Sequence, residues 1–153
     1  MNIDVCIQTQ AFDMAYAYKD LLENRSDVGA VVSFTGLVRD FNESPDVTGL
    51  TLEHYPGMTE RTLEDIGKQA WHRWSLQGVR IIHRIGYMAP GDPIVRVSVA
   101  SAHRRDAFEA CDFIMDFLKT RAPFWKKEHA LDGDYWVKER ESDQQDATRW
   151  QGG

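Results

Sequence analysis

The sequence is short of the features that would place it in several large classes of protein. Cysteine occurs only at Cys6 and Cys111, far apart and outside any close Cys/His pair. Neither a disulfide framework nor a zinc site is therefore expected, and both thiols are expected to be buried, reduced and inert. None of the five histidines falls in an HExxH or comparable spacing, so the expectation is metal-free chemistry with no cofactor. No apolar run is long enough to cross a bilayer. The opening Met-Asn-Ile-Asp-Val-Cys has no basic stretch leading into an apolar segment, so a cytoplasmic location is expected. Positive charge is in deficit, with 18 Lys and Arg against 24 Asp and Glu. That argues against nucleic acid as a partner, because phosphate backbones are gripped by clustered cations. Repeats and low-complexity tracts are absent.

What is present suits a single globular domain. At 153 residues, 42% hydrophobic and 27% charged, the chain can bury a real core. We expect one domain over 1–141 and a polar tail over 142–153. The net charge of −6 is unevenly spread: the segment from His103 to Lys127 carries +2 and the remainder −8. A local cationic site in an acidic protein fits a small anionic ligand better than a polyanion.

Residues 3–8 alternate as an edge strand, and 11–24 read as a helix. Val28 to Val38 reads as a strand, followed by a breaker-rich loop at Asn42, Ser44, Pro45 and Asp46 and a further strand from Leu50 to Tyr55. After Pro56-Gly57, the spacing of Leu63, Ile66, Ala70 and Trp74 predicts a helix from about Thr59 that Gly78 ends. Strands are expected over Val79–Ile85 and Ile94–Ala100, separated by Gly86 and the turn 89–93. A third helix runs from about His103 to Arg121 and stops at Pro123, with short strands at Phe124–Glu128 and Tyr135–Lys138. Adjacent strands without crossover helices point to an α+β domain with a mostly antiparallel sheet and three main helices.

The third helix carries the most chemistry. Its apolar stripe is Ala107, Phe108, Cys111, Ile114, Met115 and Leu118, and Lys119 lands at the stripe's edge beside Met115 and Phe108. Partial desolvation there would lower its pKa and make it a usable nucleophile or proton shuttle, while snorkelling of the amine into water is the alternative. Phe113 and Phe117 lie on another side, marking either a subunit interface or a helix packed between two layers of one domain. The proline turn in Arg121-Ala-Pro-Phe-Trp-Lys-Lys-Glu128 can return Lys126 and Lys127 toward Lys119, giving an ammonium cluster suited to phosphate, carboxylate or a developing oxyanion. His103 and Arg104 open the helix, where free N–H groups and the positive dipole end favour anions; Ser101 is the candidate N-cap. Arg39 stands where the second strand enters its polar loop.

Four separated segments, in order, carry a resemblance. They are Phe-Thr-Gly-Leu-Val-Arg39, Leu-Glu-His54-Tyr-Pro-Gly-Met58, Ser-Ala-His103-Arg104 and Phe-Ile-Met-Asp-Phe-Leu-Lys119-Thr-Arg-Ala-Pro-Phe-Trp-Lys126-Lys-Glu. Together with Glu141-Ser-Asp-Gln-Gln145 and Trp150, they resemble the large, catalytic subunit family of molybdopterin synthase over residues 28–150. The resemblance implies an α/β hammerhead fold and a central homodimer with a small ubiquitin-like sulfur-carrier subunit at each end, a heterotetramer. It implies a sulfurtransferase that converts cyclic pyranopterin monophosphate (precursor Z) into molybdopterin. Each of two sulfurs would come from the thiocarboxylate at the carrier's C-terminal Gly-Gly.

Carried over by motif, the resemblance makes Lys119 and Lys126 catalytic. Arg39, His103 and Arg104 would hold the substrate and its phosphate, with Leu37, Val38, Lys127 and Glu128 completing the pocket. The His-Arg pair would arrive from the other protomer. Relatives can carry a basic residue where this chain has Leu37, so a contact there falls to backbone or packing. The ending Gln151-Gly-Gly153 mimics a carrier tail, but the ubiquitin-like body that presents such a tail is absent. Two other readings compete: a non-catalytic homodimeric scaffold for a phosphorylated metabolite or carrier tail, and a lysine Schiff-base enzyme acting on a phosphorylated carbonyl compound.

Overall fold

A computed structural model describes residues 1–39, 47–137 and 141–151. The predicted loop through Asn42, Ser44, Pro45 and Asp46, Lys138 at the end of the last predicted strand, and the terminal Gly152-Gly153 lie outside the described residues. In chain order the elements are β1 (Ile3–Gln8), α1 (Met14–Leu22), β2 (Ala30–Leu37), β3 (Val47–His54), α2 (Met58–Arg73) and β4 (Gly78–Arg84). They continue with β5 (Gly86–Met88), β6 (Pro93–Ser101), α3 (Arg104–Arg121), β7 (Phe124–Ala130), β8 (Gly133–Val137) and α4 (Glu141–Thr148).

The strands form two four-stranded sheets, β1-β4-β6-β2 and β5-β3-β7-β8, where the sequence alone had suggested one. Among the described residues only β1 and β4 pair in parallel; the other pairings are antiparallel, as the α+β reading expects. In the first sheet the phase of β4 turns Val79, Ile81 and His83 to the helix side, where they meet Val95, Val97 and Val99 of β6 and the buried flank of α3. α2 forms because Leu63, Ile66 and Ala70 recur on one face, all buried, and because Glu60 Oε2 accepts the Gly57 N–H at 2.9 Å and fixes the first turn. Gly57 sits at φ +85°, a left-handed conformation that costs a side-chain-bearing residue strain.

β5 and α4 escape the sequence reading for separate reasons. β5 is three residues long, begins at Gly86 with φ +83°, and is too short for an alternation to register. α4 occupies the stretch read as a polar tail, and Ala147 is its buried apolar residue. It docks all the same, because Trp150 just beyond it packs against Trp74 and Phe113 at ring-centroid distances of 5.6 and 5.5 Å.

α3 is enclosed on two sides, by the first sheet and by α2, α4 and the Trp74 and Trp150 rings. Phe113 and Phe117 are therefore 1% and 5% exposed, in edge contact at 4.6 Å, which corrects the interface reading in favour of a helix between two layers. Burial of Phe113 contributes about 2 kcal/mol from water exclusion alone. Asp116 of the same helix is buried too. Its Oδ2 accepts from Arg149 Nε at 3.1 Å, Arg149 Nη2 at 2.6 Å and Trp150 Nε1 at 2.6 Å. Phe108, by contrast, is 60% exposed and leaves the predicted stripe. Cys111 is buried and free, and burial pushes its thiol up to about 12; Cys6 is free but only partly buried.

Candidate active site

The turn between α3 and β7 brings the first pieces of the site together. Thr59, fully buried at the start of α2, accepts the Tyr55 N–H at 2.9 Å and donates to the Pro123 carbonyl at 3.0 Å. That pair of bonds fixes the direction in which β7 leaves α3. Along β7, Phe124 pairs with His54, Lys126 with Leu52 and Glu128 with Leu50. Leu50 and Leu52 are buried, so strand alternation sends Phe124, Lys126 and Glu128 to the inner face and Trp125 and Lys127 to the outer one. Lys127 accordingly sits with its Nζ 4.9 Å from the Trp136 ring centroid.

The expected three-lysine cluster is thus reduced to two members. Lys119 lies in the last turn of α3 and is exposed, so the expected partial desolvation is not found, and with Phe108 out of the stripe the edge argument loses its basis. Lys126 is half-buried on the inner face of β7. Lys119 and Lys126 both lie close enough to His83 for their charge to act on its ring.

His83 is the residue that sequence reasoning missed. It is 5% exposed, its ring is stacked on Phe124 at 4.0 Å and 18°, and its Nδ1 lies 2.9 Å from the Arg84 carbonyl, to which it donates. Burial foremost, then the positive charges of Lys119 and Lys126, lower its pKa to about 4 against the raising hydrogen bond to the Arg84 carbonyl, so the imidazole is neutral at physiological pH. The inward phase of β4 was the available signal, but an inward histidine reads equally well as core. Glu128 is 3% exposed and, among the described residues, its Oε1 has no hydrogen-bond partner. A buried carboxylate oxygen without a donor is costly, and a ligand N–H or O–H would relieve it.

Val38 packs in a small second core with Leu50, Leu52 and Met88. Its N–H donates to the Asp92 carbonyl at 2.9 Å and its carbonyl accepts from Gly91 at 2.7 Å, which pins the end of β2 beside the inner face of β3 and β7. Leu37 and Arg39, on either side of it, are exposed.

His103 and Arg104 are elsewhere. They stand exposed at the opposite end of α3, in an open groove with Gly29, Ala102, Arg105 and Phe108. At about 1.5 Å per residue the helix holds His103 about 24 Å from Lys119. The N-cap residue is His103 itself, in extended conformation and without a side-chain cap, which corrects the assignment to Ser101. Ser101 Oγ instead donates to the Ser75 carbonyl at 2.7 Å and accepts the His103 N–H at 3.3 Å. Among the described residues no group of three or more His, Cys, Asp and Glu is placed to hold a metal ion, and no helix is long and apolar enough to cross a membrane.

Comparison with known proteins gives concordant matches. The family model described as MoaE protein matches residues 7–121. The molybdopterin synthase catalytic subunit of Vibrio cholerae serotype O1 is 54% identical over 99% of this chain and 100% of its own length. The molybdopterin synthase catalytic subunit of Escherichia coli K12 is 56% identical over 95% of this chain and 97% of its own. Among solved structures, the molybdopterin biosynthesis MoaE protein from Burkholderia ambifaria superposes with a TM-score of 0.83 at 44% identity, covering 98% of each chain.

Proposed function

This chain belongs to the MoaE protein family, and from that premise we propose that it is the catalytic, sulfur-transferring subunit of a molybdopterin synthase. Its reaction is the conversion of cyclic pyranopterin monophosphate into molybdopterin, with sulfur delivered by the thiocarboxylate tail of a small ubiquitin-like carrier. It works in the cytoplasm as a homodimer with a carrier at each end. The observation that carries the site assignment is the convergence of Lys119, from the end of α3, and Lys126, from the inner face of β7, around the single buried ring of His83.

In this reading the thiocarboxylate sulfur bonds to a pterin carbon, and water then cleaves the acyl C–S bond, leaving sulfur on the pterin and a carboxylate on the carrier; the two ammonium groups stabilise the oxyanion formed when water adds, and one of them passes protons to and from the pterin. Arg39 grips the substrate phosphate, since a guanidinium offers a planar fork of donors to phosphate oxygens. Glu128 Oε1 is the acceptor for a substrate N–H or O–H. His103 and Arg104 lie too far along α3 to reach their own Lys119, so they serve the site of the partner protomer. The outward position of Lys127 against Trp136 gives it a packing role beside the pocket rather than a contact within it.

The test is reconstitution. The purified chain, mixed with thiocarboxylated carrier and precursor Z, forms molybdopterin, read by the fluorescence of its oxidised derivative. Absence of product from components that are each active with a known synthase would refute the assignment.

A further inference from the structure

Lys119 and Lys126 come from different halves of the protein. Lys119 belongs to a helix packed on the first sheet, and Lys126 to a strand of the second. Among the described residues one aromatic contact joins the two halves, where the His83 ring of β4 lies flat on the Phe124 ring of β7 at 4.0 Å and 18°. Phe124 faces the same way as Lys126 two residues later and follows Lys119 by five residues through the turn at Pro123. His83 has little freedom to shift. Its strand neighbours on either side, Ile7 and Val95, are apolar, and its Nδ1 is tied to the Arg84 carbonyl at 2.9 Å.

We propose that His83 is a positioning residue for the sulfur transfer: its flat, buried ring seats Phe124 and so sets β7 against the end of α3, holding Lys119 and Lys126 at one site. The proposal rests on the sulfurtransferase reading for its activity readout, though its geometric content stands apart. A flat ring is required because an aliphatic side chain of similar size fills the volume without fixing the tilt of Phe124. A neutral ring is required because Lys119 and Lys126 already place positive charge near it.

Two variants separate this from a plain core role. His83→Phe keeps a flat neutral ring, and His83→Leu keeps apolar volume but no ring. In the complete complex with carrier, His83→Phe is expected within about 3-fold of the parent kcat. His83→Leu is expected to fold, by far-UV circular dichroism, and to keep KM for both substrates within about 3-fold while kcat falls about 10- to 100-fold, as misplacement of reacting groups by an ångström does.

A second readout needs no turnover. A short amine-to-amine cross-linker is expected to join Lys119 to Lys126 within one chain of the parent and of His83→Phe, and in much lower yield in His83→Leu, read by peptide mass spectrometry. Parental kcat and cross-linking in His83→Leu overturn the proposal, and so does a His83→Phe variant as impaired as His83→Leu. If His83→Leu does not fold, His83→Phe decides alone, parental cross-linking upholding the ring requirement and lost cross-linking ending it. If the parent itself makes no product, the sulfurtransferase reading fails, while the cross-link still reports on His83.

Discussion

His103 and Lys119 stand at opposite ends of one 18-residue helix, the first as its N-cap residue and the second in its last turn. A rigid rod therefore separates two groups that the proposed chemistry requires in one pocket, a conflict that the proposed cross-protomer site would resolve with a second copy of the chain. Mixing a Lys119→Ala chain with an Arg104→Ala chain tests this directly. Each is expected to be nearly inactive as a homodimer. In a cross-protomer site a mixed dimer has one pocket with both defects and one with neither, so random reassortment restores about a quarter of parental activity. Pockets built within single protomers would carry one defect each, and the mixture would stay inactive.

Lys119→Ala alone separates enzyme from scaffold. Product formation is expected to fall about 100- to 10,000-fold with carrier and pterin binding largely kept, because an exposed lysine at a helix end contributes little to the fold. Binding measured by calorimetry alongside single-turnover rates checks it. A variant that loses affinity but not the rate of the bound complex would favour the scaffold.

Asp116→Ala is expected to cost about 2 kcal/mol in chemical denaturation, since it takes the acceptor from the part-buried Trp150 indole N–H, while Arg149, 48% exposed, keeps Asp112 at 2.7 Å. Tryptophan emission should shift to the red before global unfolding, as Trp150 leaves the Trp74 and Phe113 rings.

His83 gives the protein a specific response to acid. In the folded state it holds a proton only near pH 4, whereas in the unfolded chain it does so near 6.5. The unfolded state thus binds more protons in that window, so the stability from this group is complete above about pH 6.5 and is lost as pH falls toward 4, by up to about 3 kcal/mol. His83→Phe should flatten that part of the stability profile, as followed by denaturant midpoints between pH 4 and 7. An unchanged slope would contradict the neutral buried state.

Local rules carried the sequence reading a long way where the pattern is local. Leu63, Ile66 and Ala70 give α2 by spacing, Pro123 stops α3, and the strands alternate. The split into two sheets was hidden because it depends on partners far apart in sequence, such as Leu52 with Lys126. Phe113 and Phe117 were ambiguous for the same reason, as one of their walls is Trp150, brought in by a helix that itself shows little apolar pattern. Lys119 and Lys126 were singled out as catalytic by motif resemblance alone, and the divergence of Lys126 from Lys127 follows from the register of β7. His83 sent no signal distinct from that of a core residue, because what distinguishes it is the Phe124 ring some forty residues later.

The docking of Trp150 has a practical consequence. A version of the chain cut short before that residue would bare the flank of Phe113 and Trp74 to water, leaving a sticky aromatic surface on the helix that bears Lys119. Shortened forms should therefore be recovered as aggregates rather than as dilute inactive monomers, and affinity handles belong at the other terminus.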